Sequence, residues 1–191
     1  MKDIRSIKAL KEVGSHLLIT FFWLAVAGIS RFSISLNFLL LCLGSILGTF
    51  LLDIDHLIYW FFLYPGKTDS LEAQKLLKQK SFQGLLLLAA EYHGDHVRLI
   101  FHSALFQLVL LGLTLYVFTA GGSDFVLGLV VALNLHLFKD EWEEYYSGSP
   151  EHLNRWLFWH FGIKVPLRLQ MLYLVVTSLA FLFLLRFVFR I

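Results

Sequence analysis

Long windows without a single charged residue constrain this chain more than any other feature. A helix crosses the hydrocarbon core of a bilayer with about 20 mostly apolar residues, and ~17 can suffice. Residues 13–30 lie uncharged between Glu12 and Arg31, and 32–52 between Arg31 and Asp53. Further windows cover 99–123, 125–138 and 169–185, bounded by Arg98, Asp124, Lys139, Arg168 and Arg186. The composition agrees, with 58% hydrophobic and 16% charged residues, against roughly 45–50% and about 25% in soluble domains. The expected fold is all-α: a polytopic helical membrane bundle of four to five transmembrane helices, forming one membrane-embedded domain over 1–191. The 125–138 window is short. It crosses only if Asp124 sits among headgroups and the polar residues from Lys139 onward begin inside the lipid boundary. Arg186 and Arg190 weigh against the last crossing.

Charge placement predicts the orientation, because short cytoplasmic segments collect Lys and Arg. Lys2, Arg5, Lys8 and Lys11 precede the first window, and Lys67, Lys75, Lys78, Lys80 and Arg98 fall within 53–98, whereas the 119–124 turn has no basic residue. The N-terminus and the 53–98 segment are therefore expected on the cytoplasmic side of the cytoplasmic (inner) membrane. A competing reading takes 1–27 as a cleaved signal, with Ala25-Val26-Ala27 as the small-residue site. Residues 70–80 read as a helix capped by Ser70 and lying on the cytoplasmic leaflet, its lysines toward anionic lipid. Trp142, Tyr145, Tyr146, Trp156 and Trp159 fit an interfacial aromatic belt, so 141–191 reads as an interfacial segment and a last helix. The net charge of +2 gives no case for nucleic acid as a partner. The single cysteine, Cys42, excludes an intramolecular disulfide and any cysteine-based zinc site.

Ionisable groups at membrane depth are expensive and mark function by default. His16 opens the first window, Asp53-Ile54-Asp55-His56 closes the second, His102 sits early in the third, and His136 with Asp140 closes the fourth. On the predicted topology all four places fall at cytoplasmic helix ends. Asp53 and His56 are i, i+3, and His136 and Asp140 are i, i+4, so each pair shares a helical face. Asp55 points elsewhere on a continuous helix; it joins the site if the helix bends there, or otherwise orients a ligand. One membrane histidine alone is most often a packing residue, but the set converges. Imidazole and carboxylate are the ligands zinc and related divalent ions take without cysteine. The candidate ligands are His16, Asp53, His56, His102, His136 and Asp140, for one or two divalent ions, zinc first and manganese second. Spans one–two and three–four carry their polar groups at similar separations, as two hairpins facing each other would.

These residues resemble the LexA-binding, inner-membrane-associated metal-dependent hydrolase family of bacteria and archaea. Ser15-His16-Leu17-Leu18 is similar to that family's opening histidine, Asp53-Ile54-Asp55-His56 to its Asp-x-Asp-His, His102-Ser103 to its His-Ser, and His136 with Asp140 to its His-x-x-x-Asp. The order and membrane setting match over about 15–140. Leu52 stands where the family usually has Pro, His96-Val97-Arg98 is offset from its His-Arg-Gly, and Glu141-Trp142-Glu143-Glu144 replaces its Thr and Gly segment. The resemblance implies a metal-dependent hydrolase, and its name hints at a regulatory protein partner.

The expected function is thus a membrane-bound hydrolase acting on a lipid or other amphiphilic ester or phosphoester through a metal-activated water. Asp55, Glu141 or Asp140 would take the proton, and Arg98 would grip an anionic phosphate. The rival is a metal transporter or sensor using the same ligands. Conduction needs ligands spread through the membrane, and these cluster on one side. No Gly-x-Ser-x-Gly elbow or HExxH is present.

Overall fold

The computed structural model describes residues 2–31, 35–147 and 150–189. Among these, every regular element is helical: α1 (Lys2–Arg31), α2 (Leu36–Leu51), α3 (Ile54–Ile58), α4 (Thr68–Lys78), α5 (Phe82–Tyr92), α6 (Ala104–Ala120), α7 (Asp124–Ser147), α8 (Pro150–Leu157) and α9 (Leu167–Phe189). A π-helical turn, Tyr59–Leu63, prolongs α3, and a 3-10 turn, Trp159–Phe161, follows α8. Three helical runs are long and apolar enough to cross a membrane: Ser6–Ser30, Leu36–Leu63 and Leu167–Val188.

Local chemistry moves several expected boundaries. The 99–123 window is helical only from Ala104, because Ser103 is an N-cap with extended backbone (φ −133°, ψ 151°) whose Oγ accepts from the Phe106 N–H at 3.3 Å. The resulting helix, Ala104–Ala120, is shorter than the three long runs. Helix α7 does not stop at Lys139 but continues to Ser147, so its apolar half and the polar Lys139–Glu144 share one rod. Helix α4 opens after Lys67, and Ser70, expected as the cap, is buried inside it. Trp156 leaves the expected belt: it is 5% exposed, its ring 5.7 Å from that of His102.

Small residues let α2 and α7 touch backbone to backbone. A Cβ at Gly44 would collide with the Phe125 carbonyl oxygen, and one at Gly128 with that of Leu41. Such close approach is how helices associate where lipid removes the hydrophobic drive. Ser45 Oγ donates to the Gly128 carbonyl at 3.4 Å, and Thr20 Oγ1 of α1 meets Thr49 Oγ1 of α2 at 2.7 Å. Around this seam Trp23, Leu24 and Ala27 of α1, Leu41 of α2, Val131 and Phe138 of α7, and Phe181 of α9 form one buried cluster. A separate cluster joins Tyr59 and Trp60 to α4, α5 and Leu99.

The second rod is tightened where its acidic motif sits. Asp53 N–H donates to the Phe50 carbonyl at 3.2 Å, Asp55 to Leu52 at 3.0 Å and His56 to Asp53 at 3.1 Å. These three bonds have the i→i−3 spacing of a 3-10 turn, about 3.0 residues per turn instead of 3.6. The change of pitch rotates Asp55 off the α2 face and carries it toward the residues before α6.

Candidate metal centre

Five segments bring histidines and carboxylates to one end of the bundle. Glu12 and His16 come from α1, Asp53 and His56 from the tightened turn, His93 from the end of α5, His102 from the segment before α6, and His136 and Asp140 from α7. Asp140 is the hub. Its Oδ2 lies 3.0 Å from His136 Nε2, 3.5 Å from His102 Nε2 and 3.5 Å from His93 Nε2, while its Oδ1 lies 3.3 Å from His16 Nε2. Asp53 Oδ1 is 3.7 Å from His136 Nε2. Bonds of roughly 2.0–2.2 Å put ligand atoms of one tetrahedral shell about 3.3–3.6 Å apart, close to what is seen here. Three overlapping groups have ligand atoms mutually within 4.8 Å: Glu12, His16, His93 and Asp140; Asp53, His56 and His93; and Asp53, His102 and His136. These clusters could hold a metal ion.

The hydrogen bonds behind the rings fix which nitrogen faces inward. His136 Nδ1 donates to the Thr49 carbonyl, and His102 Nδ1 to Asp55 Oδ2 at 3.2 Å. His56 Nδ1 meets His96 Nδ1 at 2.7 Å, and His96 Nε2 meets Asp69 Oδ2 at 2.8 Å. One proton assignment satisfies this chain: His96 donates from Nε2 to Asp69 and accepts at Nδ1 from His56. His56 Nε2 then accepts from His93 Nδ1 at 3.0 Å. His93, His102 and His136 are each left with a bare Nε2 beside Asp140. His102 Nε2, His136 Nε2 and both Asp140 oxygens are buried without a hydrogen bond of good geometry. Buried lone pairs repel and are costly unless a cation or protons meet them. The Thr49 carbonyl and the Asp55 carboxylate are partners of the kind that orients histidine ligands in metal sites.

The far end of the relay is well anchored. Asp69 also accepts from Trp60 Nε1 at 3.0 Å, and His96 stacks on Tyr59 with centroids 3.9 Å apart. Burial holds His96 below its ordinary value, more than the Asp69 carboxylate raises it. Burial raises Asp69, but its bonds from His96 and Trp60 bring it below its ordinary range. A neutral imidazole and an ionised carboxylate follow, as the proton assignment requires.

A built-in cation stands at one side of the cluster. Lys139 Nζ lies against Glu12 Oε1, 3.2 Å from Asp140 Oδ1 and 2.8 Å from Glu143 Oε2. The cluster opens into a cavity of about 310 Å³ whose wall includes Lys8, Lys11, Glu12, His93, Lys139 and Asp140.

All six residues expected as ligands, His16, Asp53, His56, His102, His136 and Asp140, lie in these groups. Asp55 lies behind His102: its Oδ2 also accepts from the His102 backbone N–H at 3.1 Å and from that of Phe101. Glu141 is fully buried, and Gln107 Nε2 donates to its Oε2 at 2.7 Å. Burial holds its carboxyl well above the usual range, only partly opposed by that amide. Arg98 lines a different cavity that shares no wall residue with the first. Ser103 is engaged as a cap, with Oγ donating to the Ile100 carbonyl at 2.8 Å. His152 pairs with Glu144 at 2.7 Å, outside the groups. Sequence reasoning missed His93, Glu12, His96 and Asp69. Glu12 stands one turn before His16, a spacing that signals a shared face; His93 follows no such pattern. Comparison with protein-family models, curated proteins and solved structures finds no match for this chain.

Proposed function

We propose that this chain is a membrane-embedded, metal-dependent hydrolase acting on a lipid or other amphiphilic ester or phosphoester at the cytoplasmic boundary. The carrying observation is the convergence of bare, buried imidazole nitrogens on the Asp140 carboxylate beside an open cavity. Four to five crossings, with α6 and the apolar half of α7 among them, place that cavity at the headgroup plane. His102, His136, Asp140 and Asp53 form the core ligand set, His93, His16 and Glu12 complete it, and His56 supports His93 through its Nε2. A divalent ion there, zinc or manganese, supplies Lewis acidity and brings a water's pKa toward about 7.

The chain's own groups divide the remaining work. Asp55 positions His102 through its Oδ2 and keeps its buried Oδ1 without a hydrogen bond. Asp53, the most exposed carboxylate of the cluster at 36% of its side chain, would hold the ion through one oxygen and take the proton on the other. Glu141 is fully buried and, held by Gln107, ties α7 to α6. The cavity wall carries Glu12, Glu91, Asp95, Asp140, Glu143 and Glu144 beside Lys8, Lys11 and Lys139, an excess of negative charge that a divalent cation offsets.

The test is elemental analysis of detergent-purified protein, followed by hydrolysis assays on a panel of phosphoesters and lipid esters. Wild type should hold one or two divalent ions, and His136→Ala with Asp53→Ala should lose them. Full metal content in the double variant overturns the centre. Metal-loaded wild type that is inert on the panel yet carries metal into liposomes overturns the hydrolase in favour of a transporter.

A further inference from the structure

The second cavity, of about 470 Å³, draws four cations to one place: Lys67, Arg98, Arg155 and Lys164. A single carboxylate, Glu151, shares its wall and pairs with Lys164 at 3.3 Å. Arg98 and Arg155 are exposed and make no ion pair or side-chain hydrogen bond among the described residues. Two unengaged guanidiniums facing one concavity repel each other, and the planar fork of each matches two oxygens of a phosphate.

Both the depth and the rigidity of this pocket follow from the fold. The run Leu36–Leu63 ends just before Tyr64 and Lys67, and Leu167–Val188 begins just after Lys164. Cations flanking two crossing helices at the same cavity sit in the headgroup layer. Tyr59, Tyr64 and Trp159 line the same wall, as amphipathic rings do at that level. Exposed Phe161 and Ile163 stand beside it. Lys67 is held by the Tyr59 hydroxyl at 2.6 Å. Arg98 has φ +64°, an uncommon conformation for a residue with a Cβ. Its neighbour fixes it: the Leu99 side chain is fully buried, and the Leu99 carbonyl accepts from Trp159 Nε1 at 3.0 Å.

We infer that this cavity, walled by Arg98, Arg155, Lys67 and Lys164, binds the phosphate headgroup of an anionic glycerophospholipid bearing two negative charges. The excess of cations over Glu151 exceeds what one singly charged phosphodiester neutralises. The site is separate from the metal centre, and neither metal nor turnover enters its test.

Purified protein in neutral detergent is titrated, by thermal shift and by quenching of tryptophan fluorescence, with phosphatidic acid, cardiolipin, phosphatidylcholine and inorganic phosphate. The two doubly charged lipids should bind and raise the melting temperature, and 0.5 M salt should weaken them. Phosphatidylcholine should do neither. Arg98→Gln with Arg155→Gln should weaken lipid binding at least tenfold at an unchanged lipid-free melting temperature. If that variant misfolds, Arg155→Gln with Lys164→Gln, both on exposed side chains, reads the same loss. Unchanged lipid affinity in a folded variant overturns the site. Inorganic phosphate binding as tightly as the lipids overturns the lipid as its ligand, and equal binding of phosphatidylcholine overturns charge recognition.

Discussion

An imidazole offers a metal only one nitrogen at a time, so what its other nitrogen touches decides whether it is a ligand. His56 is governed by a neighbour that no ion would touch: Asp69, two hydrogen bonds away through His96. Asp69→Asn keeps an oxygen for His96 but removes the charge that fixes the order of protons. Metal affinity should fall about 10–100-fold, the usual effect of losing an outer partner, measured by competition with a chromophoric chelator. His93→Ala should lower occupancy as His136→Ala does, whereas exposed Asp95→Asn should leave it unchanged. The six sequence-visible ligands stood out because each interrupts or borders an apolar window. His93, His96 and Asp69 lie in the polar 53–98 segment, where charged and polar residues are ordinary, and only the return of that segment over the bundle end makes them costly. Glu12 was legible merely as the edge of a window.

Helix packing sets the site's geometry before any ligand does. His136 Nδ1 reaches the Thr49 carbonyl because α2 and α7 meet at Gly44, Gly48 and Gly128. Gly44→Leu or Gly128→Leu drives a side chain into a backbone carbonyl, which cannot move as a rotamer can. Each should destabilise at the upper end of the roughly 1–3 kcal/mol usual for overpacking and release metal in the same step. Thermal unfolding in detergent, read with metal content, checks this. Gly112→Leu is the control, since nothing lies within 4 Å of a Cβ there. The sequence shows Gly44 and Gly48 four apart on one face but not the partner helix, because Gly128 stands alone in its window. The break at Asp53 was similarly invisible: Leu52 offers no proline to announce it, and the turn arises from the pull of the Phe101 and His102 N–H groups on Asp55.

At the scale of the molecule, what matters is that every candidate ligand lies at one end of the bundle. From Asp124 to Asp140 helix α7 rises about 24 Å at 1.5 Å per residue, so the turn before it and the candidate ligands lie at opposite ends of one helix. The basic segments share the centre's end: Lys8 and Lys11 border its cavity, and Lys75 lies on α4, which packs beside the tail of the second rod. The orientation we propose, from the positive-inside rule, makes that end cytoplasmic. With Cys42 first replaced by serine, Lys8→Cys and Lys75→Cys should react with a membrane-impermeant maleimide only after the cells are opened. Ser123→Cys, exposed at the turn, should react in intact cells. If position 75 labels from outside, the cavity faces away from the cytoplasm, and a cytoplasmic amphiphile is the wrong substrate. If positions 75 and 123 label from the same side, α7 with α6 forms a re-entrant hairpin, and the 125–138 window does not cross.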